Sequence, residues 1–267
     1  MAIIISPPFG TYVRTPQATS VLGSYTYYRR PGRWLKIGQF ILDNIQHPVP
    51  GGWRNRMGLR NPGIFSLDQK FSDKVIYSIV GLEDGEWDKL YSYLMWARRR
   101  RLYLELNLGC QNVHEYTIPR SVLEQFCREF YISVKLPAGG KNTIDCAEFC
   151  LSVGVRKLHV ANTLTTDLGS ISGRPLKLAN LGATEEIAKR FPEAHITGGG
   201  GIYELEDAID YHNGGATDIS LATIWFHPIR AHRLLRQYSQ WSDLRERDEI
   251  AHNTERQTGI GSHHRIS

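Results

Sequence analysis

The sequence predicts an α/β protein built as a (β/α)8 barrel. Three observations carry that reading. From Val75 onward, short runs of branched and aromatic residues alternate with segments of helical period. Eight strand candidates can be counted along the chain, the number a closed barrel needs. Side chains capable of chemistry stand just past the C-terminal ends of many different strands rather than at one crevice, which is where barrel sites are built. A doubly wound open sheet is the competing architecture, but no GxGxxG follows the first strand.

Ile3–Ile5 reads as a short strand stopped by Pro7, Pro8, Phe9 and Gly10. Val21–Tyr28, VLGSYTYY, reads as the second strand, rich in aromatic and β-branched residues. The 15 residues between them leave little room for a helical crossover, so the first βα unit is shortened. A long excursion follows the second strand. Arg29–Gly63 has no clean period and contains Pro31-Gly32, Pro48, Pro50-Gly51-Gly52 and Pro62-Gly63. A structureless connection of this length inside a compact domain is uncommon and often functional. Its end, GGWRNRMGLRNPG, can offer backbone N–H groups and amide side chains to a ligand.

The remaining strands are Val75–Gly81, Leu102–Leu108, Tyr131–Leu136, Lys157–Ala161, His195–Thr197 and Thr217–Ala222. Helical patterns cover Asp84–Arg98, Ile118–Phe130, Thr143–Val153, Leu181–Phe191, Leu205–Asn213 and Ile224–Trp241, with a loop at Leu164–Leu178. Pro119 suits a first helical turn, and Gly214-Gly215 suits a helix end. Repeated βα units require parallel pairing and right-handed crossovers. With 267 residues, 41% of them hydrophobic, the chain is long enough for one sizeable core. The expected organisation is one barrel domain over 1–241 and a polar C-terminal tail over 242–267, frayed or wrapped on the surface.

The formal charge is +5, from 32 basic and 27 acidic residues, which a solvated surface explains without a nucleic-acid partner. An anionic cofactor or substrate is a further use for it. Cys110, Cys127, Cys146 and Cys150 contain no CxxC pair, so neither an iron–sulfur cluster nor structural zinc is expected. His263-His264 is too short to claim as a metal site, and no metal is expected. Reduced cysteines imply an intracellular protein. Ala2–Ile5 is apolar but is followed by prolines, with no basic leader and no apolar stretch near the roughly 20 residues of a membrane span. The reading is a cytoplasmic protein with no membrane partner.

The strand ends gather Asn107 and Cys110, Lys135, Asn162 and Thr163, Gly198–Gly201, and Ala222-Thr223, with Asn55 joining from the excursion. Asparagine donates and accepts together, so Asn55, Asn107, Asn112 and Asn162 suit a small planar ring with alternating C=O and N–H groups. The glycines after the seventh strand can expose backbone N–H groups before a helix N-terminus, a phosphate cradle, although a tight turn without a ligand has the same sequence. Lys135 can sit beside an anionic or electron-accepting group or snorkel to the rim. Cys110 can be a nucleophile, a general base or a small core residue.

In their order along the chain, NRMGLRNPG (Asn55–Gly63), LELNLGCQN (Leu104–Asn112), VKLP (Val134–Pro137), ANT (Ala161–Thr163), SGRPLK (Ser172–Lys177) and TGGGGIYELEDA (Thr197–Ala208) resemble the class 1 dihydroorotate dehydrogenases. The resemblance runs from about Gly23 to Phe226. It implies an FMN-dependent barrel that oxidises dihydroorotate to orotate, passing hydride from C6 to flavin N5, and a homodimer. Matched position by position, Cys110 corresponds to the family's base at C5, and Lys135 to a lysine beside flavin N1/O2. Asn55, Asn107, Asn112, Asn162 and Thr163 correspond to groups holding the pyrimidine ring and its carboxylate. Gly200, Gly201 and Thr223 correspond to the FMN phosphate grip, and Ser24 and Gly173 to other flavin-side positions.

The departures from that pattern are specific. The family's Lys-Ser in the second strand is Gly23-Ser24 here, its SCPN is Gly109-Cys110-Gln111-Asn112, and its Gly-Thr after the eighth strand is Ala222-Thr223. Arg29, Arg30 or Arg33 can stand in for the missing lysine. The alternatives are a divergent flavoprotein acting on another cyclic amide, or a non-catalytic barrel used for binding or assembly. Among electron acceptors, a soluble one such as fumarate is simplest, with NAD through a separate subunit the other route.

Overall fold

Successive residues of a strand point to opposite faces, and that alternation explains the architecture. In the computed structural model, Leu104 and Leu106 turn outward into the apolar layer between sheet and helices, while Glu105 and Asn107, between them, belong to the barrel interior. The structure describes residues 1–30, 45–49, 51–55, 59–67, 71–72, 74–97, 102–109, 118–138, 140–160, 162–167 and 169–258.

The strands in chain order are β1 (Ile3–Ile5), β2 (Thr19–Tyr25), β3 (Ile45–Val49), β4 (Gly52–Asn55), β5 (Ile76–Ile79), β6 (Tyr103–Asn107), β7 (Tyr131–Lys135), β8 (Lys157–Val160), β9 (Leu164–Thr166), β10 (Gly169–Gly173), β11 (His195–Gly199) and β12 (Asp218–Leu221). The helices are α1 (Glu86–Trp96), α2 (Arg120–Glu129), α3 (Lys141–Val153), α4 (Lys177–Arg190), α5 (Leu205–Asn213) and α6 (Pro228–Thr258). Eight parallel strands close the barrel in the order β1, β12, β11, β8, β7, β6, β5, β2, so the predicted (β/α)8 class and all eight predicted strands hold. The first βα unit is shortened as expected: β1 and β2 are joined through a 3-10 turn at Phe9–Thr11.

Two expectations are corrected. The excursion and the loop Leu164–Leu178 are not structureless. Their described parts supply β3, β4, β9 and β10, which pair antiparallel as a separate four-stranded sheet in the order β3, β4, β10, β9. The pairing of Gly52 with Gly173 explains the glycines, because a Cβ on Gly173 would stand 2.9 Å from the Gly52 Cα. Trp53 of this sheet packs on Phe226 at 4.3 Å, and Phe226 meets Phe9 edge-on at 5.0 Å, which ties the sheet to loops at the ends of β12 and β1. The second correction concerns the C-terminus. The stretch from residue 242, expected as a polar tail frayed or wrapped on the surface, continues α6 as far as Thr258, and Ser242 is buried.

The core lies outside the barrel wall. Trp87, Leu90 and Leu94 of α1 and Leu123 and Phe126 of α2 cover Leu104 and Leu106. Around β1 and β12, Ile3, Ile5, Ile219 and Leu221 pack with Tyr211, Leu234, Leu235 and Tyr238. The inside is different. Barrel interiors are usually filled by bulky branched residues. Here buried polar side chains bond across the interior in two groups, Ser78, Ser24 and Asn107 in one and Glu105, His159, Ser6 and Ser220 in the other.

Candidate functional site

A polar pocket of about 60 Å³ lies at the C-terminal mouth of the barrel. Lys135, Asn162, Thr163, Gly173, Gly200, Gly201 and Thr223 all line it, so seven of the residues singled out in the sequence meet at one place. Three strand ends (β7, β8 and β11), β10 and the start of the 3-10 turn Thr223–Phe226 bring them together.

Asn107 and Ser24 lie beside this group in a hydrogen-bonded chain. Ser78 and Ser24 share a hydrogen bond at 2.7 Å, Asn107 Nδ2 donates to Ser24 Oγ at 3.0 Å, and Asn162 Nδ2 donates to Asn107 Oδ1 at 3.1 Å. Asn162 Oδ1 in turn accepts from the Thr163 N–H at 2.9 Å. The carboxamide of Asn162 occupies the space above Gly109, where a Cβ would meet Asn162 Nδ2 at 2.2 Å. Asn55 reaches this end of the barrel from the excursion. It ends β4 and pairs with Ser170 of β10, in the sheet beside the mouth, and is not among the residues lining the pocket. Cys110, Gln111 and Asn112 lie outside the described residues, as does Arg33.

Lys135 does not snorkel. It is 7% exposed, and its ammonium makes no hydrogen bond to a described residue. Burial pushes its pKa below the usual lysine value, and the Glu105 carboxylate opposes that shift. An ammonium so placed fits a ligand atom carrying negative charge.

The glycine run works through its backbone. Asn180 Nδ2 donates to Gly199 O at 2.9 Å, and the Tyr211 hydroxyl is 2.8 Å from both Gly199 O and Gly200 O. With those carbonyls bound, the N–H groups of Gly200, Gly201 and Thr223 donate to no described residue. Gly200 and Gly201 have φ of 102° and 76°, a conformation that favours glycine. The helix N-terminus that follows is not part of a cradle, which corrects the expectation. Asp207 Oδ2 accepts from the N–H groups of Tyr203 and Glu204 at 2.8 and 3.0 Å, so α5 is capped by its own carboxylate. Three unpartnered amides and one buried ammonium form a donor set that fits a phosphorylated, electron-accepting ring such as FMN.

Beneath the mouth lies a buried ion pair that the sequence reading missed. His159 Nδ1 and Glu105 Oε2 are 2.6 Å apart, and both residues are 2% exposed. Burial works to raise the Glu105 pKa, but His159 and, behind it, Lys135 outweigh burial and hold it at about 2. Burial pushes His159 below its ordinary value. The pair is a short hydrogen bond between the two side chains, with Glu105 held in its ionised form. His159 Nε2 is 3.5 Å from Ser6 Oγ, which shares a 2.6 Å bond with Ser220 Oγ, and both serines line the mouth pocket. The available signal was the polar residue alternating with leucines and valines in LELN and KLHV.

Fold and site together define a (β/α)8 barrel with a polar pocket at its C-terminal mouth. No protein-family model matches the chain. It is 29% identical over 197 residues to the catalytic subunit of dihydroorotate dehydrogenase B (NAD(+)) from Thermotoga maritima, covering 64% of this chain and 72% of that protein. The corresponding subunit from Trichlorobacter lovleyi is 29% identical over 277 residues, covering 86% of this chain and 90% of that one. Among solved structures, a dihydroorotate dehydrogenase from Eimeria tenella in complex with ferulenol superposes with a TM-score of 0.65 at 18% identity, over 83% of this chain and 74% of the other. The chain is related to the dihydroorotate dehydrogenases, a family of oxidoreductases, and shares their barrel.

Proposed function

We propose that the protein is an FMN-dependent oxidoreductase that oxidises dihydroorotate to orotate. The observation that carries this reading is the convergence on one pocket of the buried ammonium of Lys135 and the unpartnered N–H groups of Gly200, Gly201 and Thr223. Bound FMN would supply the hydride acceptor. The N–H groups would hold its phosphate, with Gly173 and Ser24 on its flank. Lys135 would favour negative charge on the reduced ring. Asn107, Asn162 and Thr163, with Asn55 and Asn112, would orient the substrate ring. Cys110 would remove the C5 proton as general base. The names of the relatives favour NAD as the eventual electron acceptor, through a separate subunit, over fumarate. A cytoplasmic homodimer completes the reading.

A second reading is oxidation of a different cyclic amide. It is favoured by Gly23, where the family's lysine is absent and φ is 114°. The visible spectrum of purified protein, recorded before and after anaerobic addition of dihydroorotate, separates the two. Bleaching of a bound flavin supports dihydroorotate as substrate. A yellow protein that stays yellow supports the second reading, and a colourless protein that takes up no FMN rejects both. Replacing Cys110 with alanine should slow reduction far more than it weakens FMN binding.

A further inference from the structure

A second cavity, of about 360 Å³, opens at the opposite, N-terminal face of the barrel. The proposed oxidation does not use it. Its inner end is formed by Glu105 and His159, and its outer part carries Tyr103, Tyr131, Arg156 and Lys157. Inward positions that would normally carry branched apolar side chains carry small polar ones instead, Ser133 and Thr197 among the lining, and this leaves the space open.

The two ends of the cavity differ in chemistry. At the inner end, Glu105 Oε2 is bonded to His159, while Oε1 has no hydrogen-bond partner although it is buried. A buried carboxylate oxygen in that state calls for a donor. At the outer end, the rings of Tyr103 and Tyr131 stack 5.0 Å apart at 20°. Arg156 and Lys157 are exposed, and neither forms an ion pair with a described residue. Lys157 precedes His159 by two residues of β8, about 6.6 Å of strand. The cavity therefore runs from an anionic acceptor, past aromatic rings, to two cations, and the Asp218 carboxylate in its lining is already engaged by His195 at 2.6 Å and the Ala2 N–H at 2.7 Å.

We propose that this cavity binds a nucleoside monophosphate whose base presents an N–H edge. The base donates to Glu105 Oε1, and the phosphate sits between Arg156 and Lys157.

Isothermal titration of the full chain with GMP tests this, with guanosine and inorganic phosphate as separate arms. Saturable 1:1 binding of GMP is expected, with guanosine and phosphate each at least tenfold weaker. Ser133→Leu should fill the cavity and abolish binding. Glu105→Gln should weaken it tenfold or more by removing a charged acceptor. Should either of these variants fail to fold, Arg156→Ala and Tyr131→Ala change exposed positions and serve instead; each should weaken GMP severalfold. No saturation at millimolar GMP, equal affinity for phosphate alone, or unchanged affinity in Arg156→Ala and Tyr131→Ala would overturn the proposal.

Discussion

Asn162 Nδ2 donates to Asn107 Oδ1 at 3.1 Å, and the carboxamide that does so fills the space above Gly109. A single glycine thereby fixes two ring-binding candidates at the ends of β6 and β8, on either side of β7. A Cβ on Gly109 would also meet Leu136 O at 2.7 Å and Pro137 Cα at 2.8 Å, backbone atoms with little freedom to move. Gly109→Ala should lower unfolding stability by about 1–3 kcal/mol. It should also weaken substrate binding more than FMN binding. Chemical denaturation and flavin titration of the variant check both.

Gly23 marks the absent lysine, and the backbone there does not accept one. Its φ is 114°, and a Cβ would stand 2.4 Å from Ser78 O on the adjacent strand. Gly23→Lys should cost at least about 2 kcal/mol of stability and should not raise affinity for a carboxylated ring. A gain in dihydroorotate affinity with unchanged stability would show that the strand rearranges freely.

Lys135 is buried with Glu105 as its nearby opposing charge. Lys135→Met keeps the length and removes the charge. If the lysine lies beside the flavin, the two-electron potential of bound FMN should fall by about 30–60 mV, the equivalent of losing one charge-assisted hydrogen bond. Redox titration reads this directly. An unchanged potential would place the flavin elsewhere.

Acidification should destabilise the protein in two stages. His159 has a folded pKa below its unfolded value, so the unfolded chain takes up a proton that the folded protein refuses. Stability is complete above about pH 6.5 and falls as the pH drops below it. Glu105 is depressed from 4.5 to about 2, so its contribution is present above 4.5 and disappears as the pH falls towards 2. Breaking the pair with Glu105→Gln should cost about 3 kcal/mol at neutral pH and flatten the lower stage. Thermal melts across the pH range measure both effects.

Local sequence determined much of this protein. The period of the apolar residues located eight strands and six helices, because burying one face leaves a repeat of two or 3.6 residues whatever the surroundings. Glycines, amides and a lysine at strand ends marked the mouth, and Lys135, Asn162, Gly200 and Thr223 meet there. Tertiary structure decided the rest. The strand pairing of Gly52–Asn55 with Gly169–Gly173 joins segments more than 100 residues apart, and no local period records it. Tertiary packing also gave the N-terminus of Leu205–Asn213 to Asp207. The Glu105–His159 pair emerged only when residues on β6 and β8 were brought to 2.6 Å across the barrel. A side chain's alternation gives its face, but its partner depends on closure of the whole sheet.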